Sequence, residues 1–133
     1  MKELSPVNRK ELTSVRLSQA QEVAIPKPFQ QDILLFETHV AGTSHIEGIE
    51  ELEPFIQIGD RLDFFREVTN SYDQNAIEIR NASGVKLGFL PQKDNIVFSR
   101  LMDAGKLLYG KIQSKELRGR WLKIQIEIYL QDL

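Results

Sequence analysis

The residues with the most chemistry in them fall in one stretch, Phe64-Phe65-Arg66-Glu67-Val68-Thr69-Asn70-Ser71-Tyr72-Asp73-Gln74-Asn75-Ala76-Ile77. Tyr72 offers a flat aromatic face on which any nucleobase can stack, a contact worth roughly 1–3 kcal/mol whatever the base. Asp73 offers a carboxylate, which repels phosphate but accepts a hydrogen bond from a hydroxyl. The same Tyr72-Asp73-Gln74-Asn75 also reads as a turn. Asn and Asp cap neighbouring backbone N–H groups, and a Tyr can lie over the end of a barrel with its hydroxyl in water.

Other constellations are thinner. Asp60, Asp63, Glu67, Asp73 and Glu78 could supply the carboxylates of a metal-dependent nuclease, but Asp63 and Glu78 read as outward-facing strand positions. His39 and His45 stand alone, without the spacing of a metal-binding motif. The run Glu47, Glu50, Glu51, Glu53 reads as a solvated loop or a helix start. Trp121 reads as a core residue and Phe89 as either core or stacking platform. There is no P-loop, nucleophile elbow, cysteine or dyad recognisable by spacing, so no enzyme and no cofactor are expected.

These residues need a scaffold, and 133 residues suffice for one core. Apolar residues at 41% and charged residues at 27% fit a globular chain and not a disordered one. No run approaches the ~18 consecutive apolar residues of a membrane span, and Met1 to Leu12 contains no apolar run of a signal peptide. Zero cysteines leave no disulfide or thiolate site, which suits a cytoplasmic protein. The net charge of −2 hides a segregation. Residues 32–79 carry two basic and eleven acidic side chains, and residues 80–123 carry ten basic and three acidic ones. A polyanion should meet the second part first, with Lys86, Lys93, Arg118, Arg120 or Lys123 balancing its charge, unless the two sets simply pair.

Residues 1–31 hold Pro6, Pro26 and Pro28, no glycine and a thin apolar face. They read as an arm with at most one short helix starting near Asn8, outside a domain spanning 32–133. From Asp32 the pattern is β. Ile33 to Val40, Arg61 to Arg66, Ala76 to Arg80, Val85 to Leu90, Leu107 to Ser114 and Trp121 to Leu130 read as six strands. Residues 81–84 make a hairpin turn. Residues 94–104 show helical spacing, with Asp94 as N-cap, Gly105 past the end, and Ile96, Val97, Leu101 and Ala104 on one face. The class is mainly β (α+β). A half-closed OB-like or SH3-like barrel of six strands would remove most exposed edges, with the helix at one end.

In this order the elements resemble the HIRAN domain family. The Asn-x-Tyr-Asp-x-Asn-Ala-Ile loop of residues 70–77 is similar to the family's pattern. So are Gly84-Val85-Lys86-Leu87-Gly88-Phe89-Leu90-Pro91, the helix ending Leu101-Met102-Asp103-Ala104-Gly105, and the opening Val40-Ala41-Gly42. The resemblance covers residues 34 to about 130. It implies a modified OB-like barrel, found alone or fused to DNA-remodelling helicases, that recognises a free 3′ end of single-stranded DNA. It implies that His45, in the family's aromatic position, and Tyr72 flank the terminal base. Asp73 then binds the terminal hydroxyl, and Asn70 a phosphate or base edge. Ser44 stands where an Arg is common, and Gln92 where a basic residue is common, with Lys93 adjacent. The candidate DNA-binding set is therefore His45, Asn70, Tyr72, Asp73, Phe89 and Lys93. The partners implied are a single-stranded 3′ end and a helicase or other repair protein. A peptide-binding barrel without nucleic-acid affinity is the alternative.

Overall fold

The computed structural model describes residues 31–131 and, ahead of them, Ser14–Val15 and Val23–Ala24. Those two dipeptides form a short antiparallel ladder, where the sequence suggests a helix. The rest of the helix reading lies outside the described residues. Residues 32–133 form a unit of their own, and the site belongs to it.

Its six strands are β1 (Ile33–His39), β2 (Arg61–Arg66), β3 (Ile77–Asn81), β4 (Lys86–Phe89), β5 (Leu108–Arg118) and β6 (Trp121–Leu130). They lie in the order β1-β6-β5-β2-β3-β4, every neighbouring pair antiparallel. The sheet curls into a half-barrel, as expected. β6 shows why. Leu122, Ile124, Ile126 and Ile128 point inward and are buried, while Lys123, Gln125 and Glu127 alternate with them. Leu62, Phe64, Ile77, Ile79, Leu87 and Ile112 from the other strands complete the core.

The two ends of the sheet meet at one point. After β1 the Val40 N–H bonds Ile124 O at 2.9 Å, and the next residue crosses to the other edge. There Ala41 N–H donates to Phe89 O at 2.7 Å and Phe89 N–H to Ala41 O at 2.9 Å. Gly88 makes this closure possible. A Cβ there would lie 2.3 Å from Ala41 O and 2.7 Å from Val40 Cγ1, and its φ of +154° is one that few side-chain-bearing residues adopt.

Two helices accompany the sheet, the single-turn α1 (Ile49–Leu52) and α2 (Asn95–Asp103), with 3-10 turns at Thr43–His45 and Glu53–Phe55. α2 departs from its sequence reading in two ways. Asp94 occupies the N-cap position but its carboxylate caps no helix N–H; it accepts instead from the Thr38 hydroxyl at 2.8 Å and from Lys93. The buried face is Asn95, Phe98 and Ser99, leaving Ile96 and Val97 exposed. Phe98 reaches the core and packs on Phe36, centroids 5.6 Å apart. Leu101 packs against the core as its spacing predicts, but Ile96 and Val97 do not, because the polar Asn95 and Ser99 turn inward beside Phe98. Trp121 also departs from expectation, since it opens β6 opposite Arg118 and is 43% exposed.

Candidate nucleic-acid interface

β2 ends at Arg66 and β3 begins at Ile77, and polar side chains shape the connection between them. Asn70 Oδ1 accepts the backbone N–H groups of Tyr72 (2.8 Å) and Asp73 (2.9 Å), while its Nδ2 donates to Glu67 Oε1 (2.8 Å). Asp73 Oδ1 accepts the Asn75 N–H at 2.9 Å. These are the Asx-type bonds the turn reading anticipates. Arg66 closes the base of the loop, donating to Ala76 O at 2.9 Å and Gln74 O at 3.1 Å. Its Nε also meets Asp103 Oδ1 at 2.9 Å, beyond the middle of α2. That hydrogen bond from Arg66 holds the Asp103 carboxyl below its ordinary range.

A second set of bonds joins the loop to the start of α2. Asn95 Nδ2 donates to Asp73 Oδ2 at 2.7 Å, and the Ser99 hydroxyl to Asn75 Oδ1 at 3.3 Å. Sequence reasoning missed Arg66, Asn75, Asn95 and Ser99. The signal was present for two of them: polar residues four apart on a helix share a face, and that face looks at the loop.

Each candidate then has a place. Tyr72 is 94% exposed on this fixed loop. Asp73 is half-buried, and each carboxylate oxygen already holds one donor, which leaves lone pairs for a further hydroxyl. Asn70 spends its carbonyl oxygen on the loop and keeps one N–H of Nδ2. Phe89 is half-buried at the barrel closure, with Lys86 Nζ 4.3 Å from its ring centroid. His45 is exposed at the end of the Thr43–His45 turn, which the Thr43 hydroxyl anchors to Leu122 O at 2.7 Å. Lys93 is exposed, its Nζ 3.1 Å from Asp94 Oδ2. It borders an apolar groove of about 400 Å³ between β1 and α2, lined by Leu35, Phe36, Val97, Phe98 and Leu101.

The structure thus brings Asp73 against Asn95, and Phe89 against the segment that leads to His45. The carboxylates of the nuclease reading do not converge. Asp60 accepts the Gln57 N–H, Asp63 faces Arg61, Glu67 holds Asn70, and Glu78 takes Arg80 Nε at 2.7 Å. Glu78, expected to face outward, is buried, and its bond raises the Arg80 guanidinium pKa. Among the described residues no three His, Asp or Glu side chains gather as a metal site, and no helix is long and apolar enough to cross a membrane.

Comparison with known proteins settles the family. The HIRAN domain model matches residues 33–131. The chain belongs to the HIRAN domain family. The crystal structure of a Lactobacillus plantarum protein is similar, with a TM-score of 0.72 and 23% identity over 77% of this chain and 98% of that one. The crystal structure of the HIRAN domain of human HLTF gives a TM-score of 0.60 and 19% identity, covering 74% of this chain and 78% of that one. Its NMR structure gives 0.51 and 16%, covering 76% and 80%. At these identities the likeness speaks for the fold. None of the curated proteins matches the chain.

Proposed function

We propose that this HIRAN domain is a non-catalytic module that binds single-stranded DNA and seats a free 3′ end against the Tyr72–Asp73 loop. HIRAN domains are DNA-binding modules and are not themselves catalytic. The observation that carries the finer reading is Tyr72, a large aromatic side chain 94% exposed on a loop that hydrogen bonds hold in place. An aromatic ring left in water contributes little to folding, and a rigid one is a ready stacking surface. Next to it, Asp73 retains acceptor capacity that favours a terminal hydroxyl over a phosphate. His45, Phe89 and Lys93 extend the surface, and Asn70 shapes it.

This reading places the domain in DNA repair or replication-fork processing in the cytoplasm, alongside a helicase or another repair protein. The binding domain is residues 32–133, with 1–31 as an arm outside it. The test is a titration with single-stranded oligonucleotides carrying a 3′ hydroxyl, a 3′ phosphate or a blocked 3′ end. The hydroxyl form should bind tightest. Affinity should fall with salt, log K dropping by about 0.7 per phosphate contact for each decade. Equal binding to all three would refute end recognition. The groove between β1 and α2 favours a second reading, a peptide-binding barrel, which absence of DNA binding at every salt concentration would support.

A further inference from the structure

A different surface of the domain has the make-up of a protein-docking site. Residues 46–60, between the Thr43–His45 turn and β2, contain Glu47, Glu50, Glu51, Glu53 and Asp60 and no Lys or Arg. Glu53 pairs with Lys115 Nζ at 2.8 Å and Asp60 accepts the Gln57 N–H at 2.9 Å. Glu47, Glu50 and Glu51 are exposed and make no ion pair among the described residues. In the same segment Phe55 is 75% exposed and Ile58 71%.

The exposure does not come from a loose loop. Ile49 and Ile56 are buried in the core on either side of Phe55. Lys115 Nζ donates to Glu53 O at 2.6 Å, Gly59 N–H to Ile112 O at 2.8 Å, and Ile112 N–H to Asp60 O at 2.9 Å. The backbone is thus fastened to β5 before and after the two side chains, which are held outward three residues apart. Apolar anchors with a charged border are the anatomy of a protein interface. The charge of the segment sets the sign of the occupant: unpaired carboxylates repel nucleic acid and anionic lipid alike and attract cations. We infer that Phe55 and Ile58, in one exposed segment with the unpaired Glu47, Glu50 and Glu51, dock a basic amphipathic segment of a partner protein. The inference does not depend on the DNA reading.

The probe is a labelled synthetic peptide of alternating Lys and Leu pairs, titrated with the full chain by fluorescence anisotropy, alongside a peptide with every Lys replaced by Glu. The Lys peptide should bind and the Glu peptide should not. Phe55→Ser/Ile58→Ser should weaken the Lys peptide by about tenfold or more. Glu50→Lys/Glu51→Lys should weaken it comparably and remove most of its salt dependence. Both variants should melt like the wild type, because none of the four side chains supports the core. Single-stranded DNA titrated in parallel should bind Phe55→Ser/Ile58→Ser as it binds the wild type, so a failed DNA reading leaves this result intact. Peptide binding that ignores both variants would overturn the inference. So would a wild-type dimer in sedimentation that Phe55→Ser/Ile58→Ser dissociates, which would make the occupant a second copy.

Discussion

The β5–β6 hairpin and the loop between β2 and β3 are held by different forces. In the hairpin, apolar side chains alternate inward and the ladder follows from the pattern. In the loop, almost nothing apolar is available, and side-chain amides, carboxylates and one guanidinium fix the backbone. The hairpin's job is to fill a core. The loop's polar bonds hold its backbone with Tyr72 exposed, which packing could not do without burying the ring. Core packing is therefore concentrated in one region and the proposed binding chemistry in the other.

The sharpest way to break that division is in the hairpin. Ile126→Ala, at a fully buried position of β6, should cost about 2–5 kcal/mol in denaturant unfolding, with DNA affinity per folded molecule unchanged. Closure of the barrel comes next. Gly88→Ala puts a methyl group against the Ala41 carbonyl, so the seam must open or shift, at about 1–3 kcal/mol. Lost hydrogen-exchange protection at the Ala41 and Phe89 amides would localise the damage. Protection equal to wild type would show that the seam yields cheaply.

How much of this could be read from the amino-acid sequence follows the same division. Strict alternation in residues 122–130 predicts β6 and the Asn81-to-Gly84 turn predicts the β3–β4 hairpin, because those signals are local; β5 runs on to Arg118, past the Ser114 end the sequence suggests. β2 and β6 came out with the boundaries expected. The inward face of α2 did not, because Asn95 and Ser99 face the loop and displace the Ile96–Val97 side outward. The loop motif was visible, and so were its internal caps. Its remote partners were not: Asp73 finds Asn95 and Arg66 finds Asp103 only once the barrel has folded. Trp121 went astray for a related reason. An aromatic residue beside a strand reads as core unless the length of the hairpin beyond the sheet is known.

Those remote partners supply the third test, now on the loop side. Asn95→Ala removes the buried donor to Asp73 Oδ2 and should cost about 1–3 kcal/mol. NMR relaxation at the Tyr72 amide should report a more mobile loop. Asp73→Asn should destabilise by a similar amount. Its two oxygens accept from Asn75 N–H and Asn95 Nδ2, so an amide there presents its NH₂ to a donor whichever way it turns. Any change of end preference in that variant then mixes chemistry with loop order, and the comparison of 3′ hydroxyl with 3′ phosphate on the wild-type chain is the cleaner reading. Native stability in both variants would show that the loop is fixed from within and that its tie to α2 is incidental.

The smallest effect on stability should come from the residue with the largest expected effect on binding. Tyr72 has a ring in water and donates only its backbone N–H to the loop, to Asn70 Oδ1. Any residue other than proline keeps that bond, so Tyr72→Ala should stay within about 0.5 kcal/mol of the wild type in unfolding. If the ring is the platform for a terminal base, the same variant should weaken single-stranded DNA binding by roughly 1–3 kcal/mol, with any of the three end chemistries. Tyr72→Phe retains the face and loses only the hydroxyl, so it should bind nearly as the wild type does. The pair separates stacking from hydrogen bonding, since a phenol used as a donor would make both variants weak. Unchanged affinity in Tyr72→Ala, with unchanged stability, would leave the ring without a role in either region. The binding surface would then have to be sought around His45, Phe89 and Lys93, away from the loop that the polar network holds so firmly.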